Sequence, residues 1–177
     1  MGTNQVVGNA YGAGISVPEG ETLTIQGDGS LTAQGGQSAA GIGSGKNGSC
    51  GNIIISGGTV TATSSSKGAG IGSGYNGGSC GTITISGGTV TATGVRTGAG
   101  IGSSQKSKCG SITITDKVTS VTAVKGNDAT YSIGPGYTGT CGKVTIGGTV
   151  YYDGTKFLVD VGKAYLATSP LVYKPEK

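Results

Sequence analysis

The chain has no histidine and no tryptophan, a single phenylalanine and a single methionine, and few charges: 12 Lys/Arg against 8 Asp/Glu in 177 residues. Without histidine, Ser-His-Asp and Cys-His catalysis and most protein metal sites are excluded together. The eight acids are dispersed, mainly at turns and in the tail. Asp28 and Asp116 share one corner of the repeat described below, but three strand spacings would hold them about 14 Å apart, too far for the ~5–10 Å carboxylate pair of a glycosidase. The expectation is therefore a non-enzyme with no cofactor and no metal. Lys46, Lys67, Arg96, Lys106, Lys108, Lys117 and Lys125 stand singly, without the clustering and interleaved aromatics of a nucleic-acid binder, so no nucleic-acid partner is expected. No apolar run approaches the ~18–20 residues that span a bilayer, so membrane insertion is not expected. The opening Met1-Gly2-Thr3-Asn4-Gln5 lacks the charged and apolar regions of a secretory signal. An extracellular setting would thus need an export signal outside this chain. Leu, Ile, Val and Phe are also scarce, 34 residues in all. That is near the disorder threshold, yet the low charge does not fit a disordered chain. Helical spacing is missing over any useful length, which excludes a helical bundle or an ordinary α/β enzyme.

Glycine, by contrast, supplies 39 residues, and it is arranged. Residues 40–63 read AGIGSGKNGSCGNIIISGGTVTAT and 69–93 read AGIGSGYNGGSCGTITISGGTVTAT. Further copies cover 99–124 (AGIGSSQKSKCGSITITDKVTSVTAV) and 132–150 (SIGPGYTGTCGKVTIGGTV), and a cysteine-free version begins at Gly12. One unit of about 30 residues is used roughly five times. Within it, Thr82-Ile83-Thr84-Ile85-Ser86 and Thr89-Val90-Thr91-Ala92-Thr93 alternate with period two, the signature of strands, and Gly-Gly between them marks a corner. The third element is a short Ile between glycines. A repeat whose single copy cannot bury its inward residues predicts an all-β solenoid, a parallel β-helix of about five coils with three short strands each. Equivalent residues should then stack in columns: Leu23, Ile53, Ile83, Ile112, Val144; Ile25, Ile55, Ile85, Ile114, Ile146; Ile15, Ile42, Ile71, Ile101, Ile133; Leu31, Val60, Val90, Val121, Val150, with Ala33, Ala62, Ala92, Ala123 beside them. A β-sandwich would not demand the same side chain at the same phase in every copy. The repeats are assigned to residues 1–148. Residues 149–177, with Phe157 and half of the tyrosines, are assigned to a C-terminal β-hairpin cap turning around Asp153-Gly154.

Gly41-Ile42-Gly43-Ser44-Gly45-Lys46 does not have phosphate-loop spacing, and its recurrence makes it a fold signature. One cysteine per coil places neighbours about 4.8 Å apart, within disulfide range, while non-neighbours are too far. Two states remain open: Cys50–Cys80 with Cys109–Cys141 as disulfides, or a reduced ladder of four small hydrophobes. The candidate surface residues are the rows Thr59, Thr61, Thr63 and Thr89, Thr91, Thr93, extended by Ser120 and Thr122. They form a flat lattice of hydroxyls and methyls, which resembles the threonine arrays of insect β-solenoid antifreeze proteins. Threonine is also simply suited to an exposed strand face. Tyr75 and Tyr137, in the loops before Cys80 and Cys141, offer rings on which sugars could stack, although an isolated loop tyrosine is more often ordinary surface. Asn47-Gly48-Ser49 is a formal glycosylation sequon that turn chemistry explains equally well.

The units AGIGSG…SCGTITISGGTVTAT, followed by TVYYDG…YLATSPLVY, resemble repeats in large secreted or surface-anchored proteins of anaerobic gut bacteria, over about residues 10–177. That resemblance implies a right-handed β-helix in an extracellular or cell-surface, adhesin-like setting, and it brings no catalytic residues. The leading expectation is a non-enzymatic β-helix that contacts glycans or host and matrix surfaces through its hydroxyl face and its loops at 44–50, 73–80, 103–109 and 134–141. The alternatives are ice binding through the threonine face, and a structural spacer or self-stacking fibre element, so that the chain is a monomer or associates end to end.

Overall fold

The computed structural model describes residues 3–176. The chain winds as a solenoid of about five coils, and each of the period-two segments pairs in parallel with its copy one coil away. Sheet A consists of Thr3–Val7, Ser30–Gln34, Thr59–Thr63, Thr89–Thr93 and Ser120–Val124. Sheet B is the two-residue Ile-Gly or Ile-Ser element at Ile15, Ile42, Ile71, Ile101 and Ile133. Sheet C runs through Thr22–Ile25, Asn52–Ile55, Ile83–Ile85, Ile112–Ile114 and Val144–Ile146. The register is in phase throughout: Ile83 sits on Ile53 and Ile112, and Ile71 on Ile42 and Ile101. Ile42, Ile53, Ile55, Ile71, Ile83, Ile85, Ile101, Ile112, Ile114 and Ile133 have no exposed surface at all, nor do Ala33, Ala62, Ala92 and Ala123. The core is therefore a set of parallel columns in which each apolar side chain is covered by its own copy, at roughly 1.5–3 kcal/mol per fully buried aliphatic.

The structure departs from the three-strand coil at the cysteines. Ser79–Cys80, Lys108–Cys109 and Thr140–Cys141 form a narrow fourth sheet, extended by a bridge from Cys50 to Cys80. Two residues are too few to show a period, so only the pairing of successive coils reveals them as strands. At the other end of the sequence, Thr3–Val7 adds a rung to sheet A above Ser30–Gln34, with Asn4 on the Leu31 column and Val6 on the Ala33 column.

The C-terminal segment closes the lower end differently from the expectation. The chain reverses at Gly147-Gly148, both with positive φ (56° and 80°), so that Thr149–Tyr152 runs antiparallel along Val144–Ile146 in sheet C. Val150 therefore lies opposite Thr145 and does not complete the Leu31–Val60–Val90–Val121 column. The glycine pair makes the tighter turn, and the run after Asp153-Gly154 contributes a single bridge, Phe157 to Tyr152. Leu171–Tyr173 takes the place below Ser120–Val124, antiparallel, with Leu171 against Ala123 and Tyr173 against Val121. Between them a short helix, Gly162–Ala167, lies under sheet B: Ser132 donates its N–H to the Leu166 carbonyl and its hydroxyl to that of Thr168. Leu166 and Leu171 are buried, and Tyr151 stacks on Tyr165 with centroids 4.8 Å apart. Tyr131, Tyr152 and Phe157 make a second aromatic cluster. The aromatic tail is thus packed as a cap over the last coil.

Candidate binding site

The recurring Ala-Gly-Ile-Gly-Ser segment explains how the loops are held. Its isoleucine enters the core. The glycine after it has φ of +135°, +131°, +136° and +124° at Gly43, Gly72, Gly102 and Gly134, and a Cβ on any of the first three would collide with the next coil's glycine carbonyl. The serine that follows is buried and turned toward the next loop: Ser44 Oγ accepts from Gly74 N–H (2.9 Å), Ser73 Oγ from Ser104 N–H (3.3 Å) and Ser103 Oγ from Gly136 N–H (3.2 Å). Among the described residues no buried side-chain polar atom is left without a partner. Each coil's loop is therefore fastened to the coil before it.

Sheet B is only two residues wide, so the loops on its two sides meet over it. Counted from the stacked isoleucines, the residues four positions before are Tyr11, Ser38, Lys67, Thr97 and Ala129. Those four positions after are Glu19, Lys46, Tyr75, Gln105 and Tyr137. These two columns are sewn together across the coils. Lys46 N–H donates to Tyr11 O (3.0 Å), Tyr75 N–H to Ser38 O (2.8 Å) and Tyr137 N–H to Thr97 O (3.0 Å). Ser104 Oγ and Thr97 Oγ1 both donate to the Lys67 carbonyl. Two cations on the seam rest on aromatic rings: Lys46 Nζ lies 4.9 Å from the Tyr11 ring centroid and Lys67 Nζ 4.6 Å from that of Tyr75. Such contacts are worth about 0.5–1 kcal/mol at exposed sites, enough to bias the ring positions. Lower on this seam a cavity of about 380 Å³ is lined by Lys67, Arg96, Thr97, Gln105, Asp128 and Tyr137. Tyr137 is 46% exposed at its mouth.

The structure thus gathers Tyr75 and Tyr137 into one seam, two coils or about 9.6 Å apart. Lys46, Lys67, Arg96, Gln105, Asp128 and Tyr11 join them, and none of these six is singled out by reading the sequence linearly. The signal was present in the repeat phase: all but Arg96 and Asp128 are four residues from a column isoleucine, and those two are five.

The hydroxyl rows are also where the repeat puts them. Thr59, Thr89 and Ser120 form one column of sheet A, Thr61, Thr91 and Thr122 the next, and Thr63, Thr93 and Val124 the third. The lattice is narrow. Above it Gln34 interrupts the third column, and below it Val172 lies beside Thr122. A second groove of about 450 Å³ follows the corner between sheets C and A, between the Ser-Gly-Gly-Thr turns at 56–59 and 86–89, with Asp28 and Lys117 at its ends. It has backbone glycine walls and no aromatic side chain.

Cys50 and Cys80 form a disulfide, with Cα atoms 4.3 Å apart. The second pair, Cys109–Cys141, is not bonded: both are buried thiols in register on adjacent strands. Burial pushes the Cys141 thiol up to about 12, and burial together with Cys141 raises Cys109 further still. The column therefore combines the two states left open by the sequence, one disulfide above two protonated small hydrophobes. Among the described residues, no three His, Cys, Asp or Glu side chains gather as a metal site, and no helix is long and apolar enough to cross a membrane.

No curated protein and no solved structure matches this chain. Three stretches of it, residues 23–46, 53–75 and 83–105, match the family described as Beta helix repeat, which is what these coils are similar to.

Proposed function

We propose that this chain is a non-enzymatic module of a secreted or cell-surface protein, adhesin-like in setting, that binds glycans or matrix partners along the seam over sheet B. The observation that carries the reading is the seam itself: two columns of residues on hydrogen-bonded loops, with Tyr75 along it and Tyr137 beside Thr97, Gln105 and the charges of Lys67, Arg96 and Asp128 around a 380 Å³ cavity. Tyrosine faces with polar neighbours suit the mixed apolar and hydroxylated surface of a pyranose ring. Because the loops are tied to the preceding coils, little order has to be created on binding. The Cys50–Cys80 disulfide supports an oxidising, extracellular compartment. A glycan array with the purified chain tests the reading. Binding should be reduced at least tenfold by Tyr137→Ala and left unchanged by Thr91→Lys on sheet A. An array without any hit leaves the spacer reading in its place.

A second reading, ice binding, draws on the in-register threonine columns of sheet A. Strand residues about 6.8 Å apart on rungs about 4.8 Å apart give a regular two-dimensional lattice. It predicts thermal hysteresis that Thr91→Lys abolishes without unfolding, and millimolar protein without hysteresis refutes it.

A further inference from the structure

The loops over sheet B carry an uneven share of the charge. Segments 8–21, 35–49, 64–78, 94–108 and 125–140 hold Lys46, Lys67, Arg96, Lys106, Lys108 and Lys125 against Glu19, Glu21 and Asp128, with both glutamates confined to the first coil. The rest of the chain has six cations and five acids. Spread along the sequence at roughly one per coil, these cations look isolated; the winding puts them on one side. Four of them are positioned by the seam. Lys46 and Lys67 rest on tyrosine rings, while Arg96 and Lys106 occupy loop tips with φ of +51° and +52°. Like charges on neighbouring rungs raise the local positive potential, which an anionic ligand lowers and a neutral one does not.

Resting on the glycan-binding reading above, we propose that the seam takes an acidic polysaccharide. Its sugar rings stack on Tyr137 and Tyr75, its carboxylate or sulfate groups are held by Arg96 and Lys67, and its hydroxyls are met by Gln105 and Asp128. The guanidinium of Arg96 matches a planar carboxylate through two parallel hydrogen bonds. Asp128 and Arg96 line the same cavity, so one wall accepts hydroxyl protons while the other binds the anion. A flexible chain with one anionic group per repeat meets successive cations as it follows the coils, and the tyrosines between them fix the ring plane. A nucleic acid would satisfy the cations. It would need more stacking surface than two tyrosines about 9.6 Å apart provide.

The test is calorimetry with polygalacturonate, alginate and hyaluronan, each beside its carboxyl-reduced, neutral counterpart, and with single-stranded oligo-dT as a polyanion lacking sugar-ring acids. At least one acidic polymer should bind ten times tighter than its reduced form and weaken on going from low to high salt. Arg96→Asn, chosen because asparagine tolerates the left-handed backbone there, should remove that preference while circular dichroism stays unchanged. Asp128→Asn should strengthen acid binding. Equal affinity for acidic and reduced forms, lost on Tyr137→Ala, overturns the acidic assignment and leaves glycan binding standing. Binding of no saccharide, acidic or neutral, overturns both. Oligo-dT binding as tight as the best polysaccharide makes the surface a general polyanion or nucleic-acid face and overturns the proposal.

Discussion

Replacing Ile83 and Leu23 by alanine, one at a time, measures whether burial comes from coil-on-coil stacking. The two residues share a column, two rungs apart, in the order Leu23, Ile53, Ile83. Ile83 is fully buried, with Ile53 on one side and Ile112 on the other. Leu23 belongs to the first rung of sheet C, has a neighbour on one side only and is half-buried. For Ile83→Ala, three carbons at about 0.8 kcal/mol each set a floor near 2.4 kcal/mol. The cavity cannot collapse, because the rungs on both sides are fixed by backbone hydrogen bonds, so the cost should reach about 3–4 kcal/mol. Leu23→Ala removes the same number of carbons from a site already half in water, and should cost about 1–1.5 kcal/mol. Urea unfolding followed by circular dichroism gives both values, with unchanged m-values as the check that the unfolding unit is the same. Equal losses, within about 0.5 kcal/mol, would mean that Leu23 is as enclosed as Ile83. The column picture, and with it the alignment of the seam, would then be refuted.

Three further outcomes follow from the same geometry. Thiol titration should detect no reactive cysteine in the native protein and two after unfolding without reductant, because Cys109 and Cys141 are buried and protonated while Cys50–Cys80 is bonded; none after unfolding would mean that the second disulfide forms. Asp153 accepts hydrogen bonds from the backbone N–H of Lys156 and from the hydroxyl and N–H of Thr155, which hold its carboxyl down to about 2. Folding thus favours its ionised form: the stabilisation is complete above the unfolded value near ~3.9 and is lost as pH falls toward 2. An NMR titration midpoint for Asp153 near 4 would contradict this, and Asp153→Asn should abolish the dependence. Ending the chain at Asp160 removes the helix and Leu171–Tyr173 from the last coil and leaves the Val121 and Ile133 rungs open. The truncated protein should show concentration-dependent association by sedimentation where the full chain does not, and monomeric behaviour of both would refute the capping role.

Much of this was written in the alternation of the sequence. A side chain that must sit on its own copy can only recur at a fixed interval, so the three isoleucine columns and the threonine rows are legible in the sequence alone. Val150 shows where that logic stops. It falls one period after Val121, but the corner before it lacks the serine of Ser56-Gly57-Gly58 and Ser86-Gly87-Gly88: only Gly147 and Gly148, both with positive φ, separate Ile146 from Thr149, and a two-residue loop of that kind is a hairpin turn, so the strand turns back along sheet C. The helix at Gly162–Ala167 is not legible because six residues carry less than two turns of periodicity, and its formation depends on Leu166 finding the underside of sheet B. The fourth strand of the coil is not legible either, because a two-residue strand has no period at all.

The seam was hidden for a different reason. The inner positions of each loop are fixed by geometry: glycine where φ is positive and the next coil's carbonyl is close, serine where an amide of the next loop needs an acceptor, isoleucine where the column passes. Four residues after the isoleucine these demands do not apply, and the copies diverge to Glu, Lys, Tyr, Gln and Tyr, none of them buried; four residues before it Ser38, Thr97 and Ala129 are buried, and Tyr11 and Lys67 reach outward. A pattern search rewards sameness and so passes over these positions. Yet a repeating scaffold can make a distinctive surface only where its copies differ, and here the differing positions are held in register by the ones that do not. Three backbone hydrogen bonds, from Lys46, Tyr75 and Tyr137, fix loops whose side chains the fold leaves free to vary. Chemistry can therefore change at the seam without cost to the columns beneath it, which is the arrangement a recognition surface on a solenoid requires.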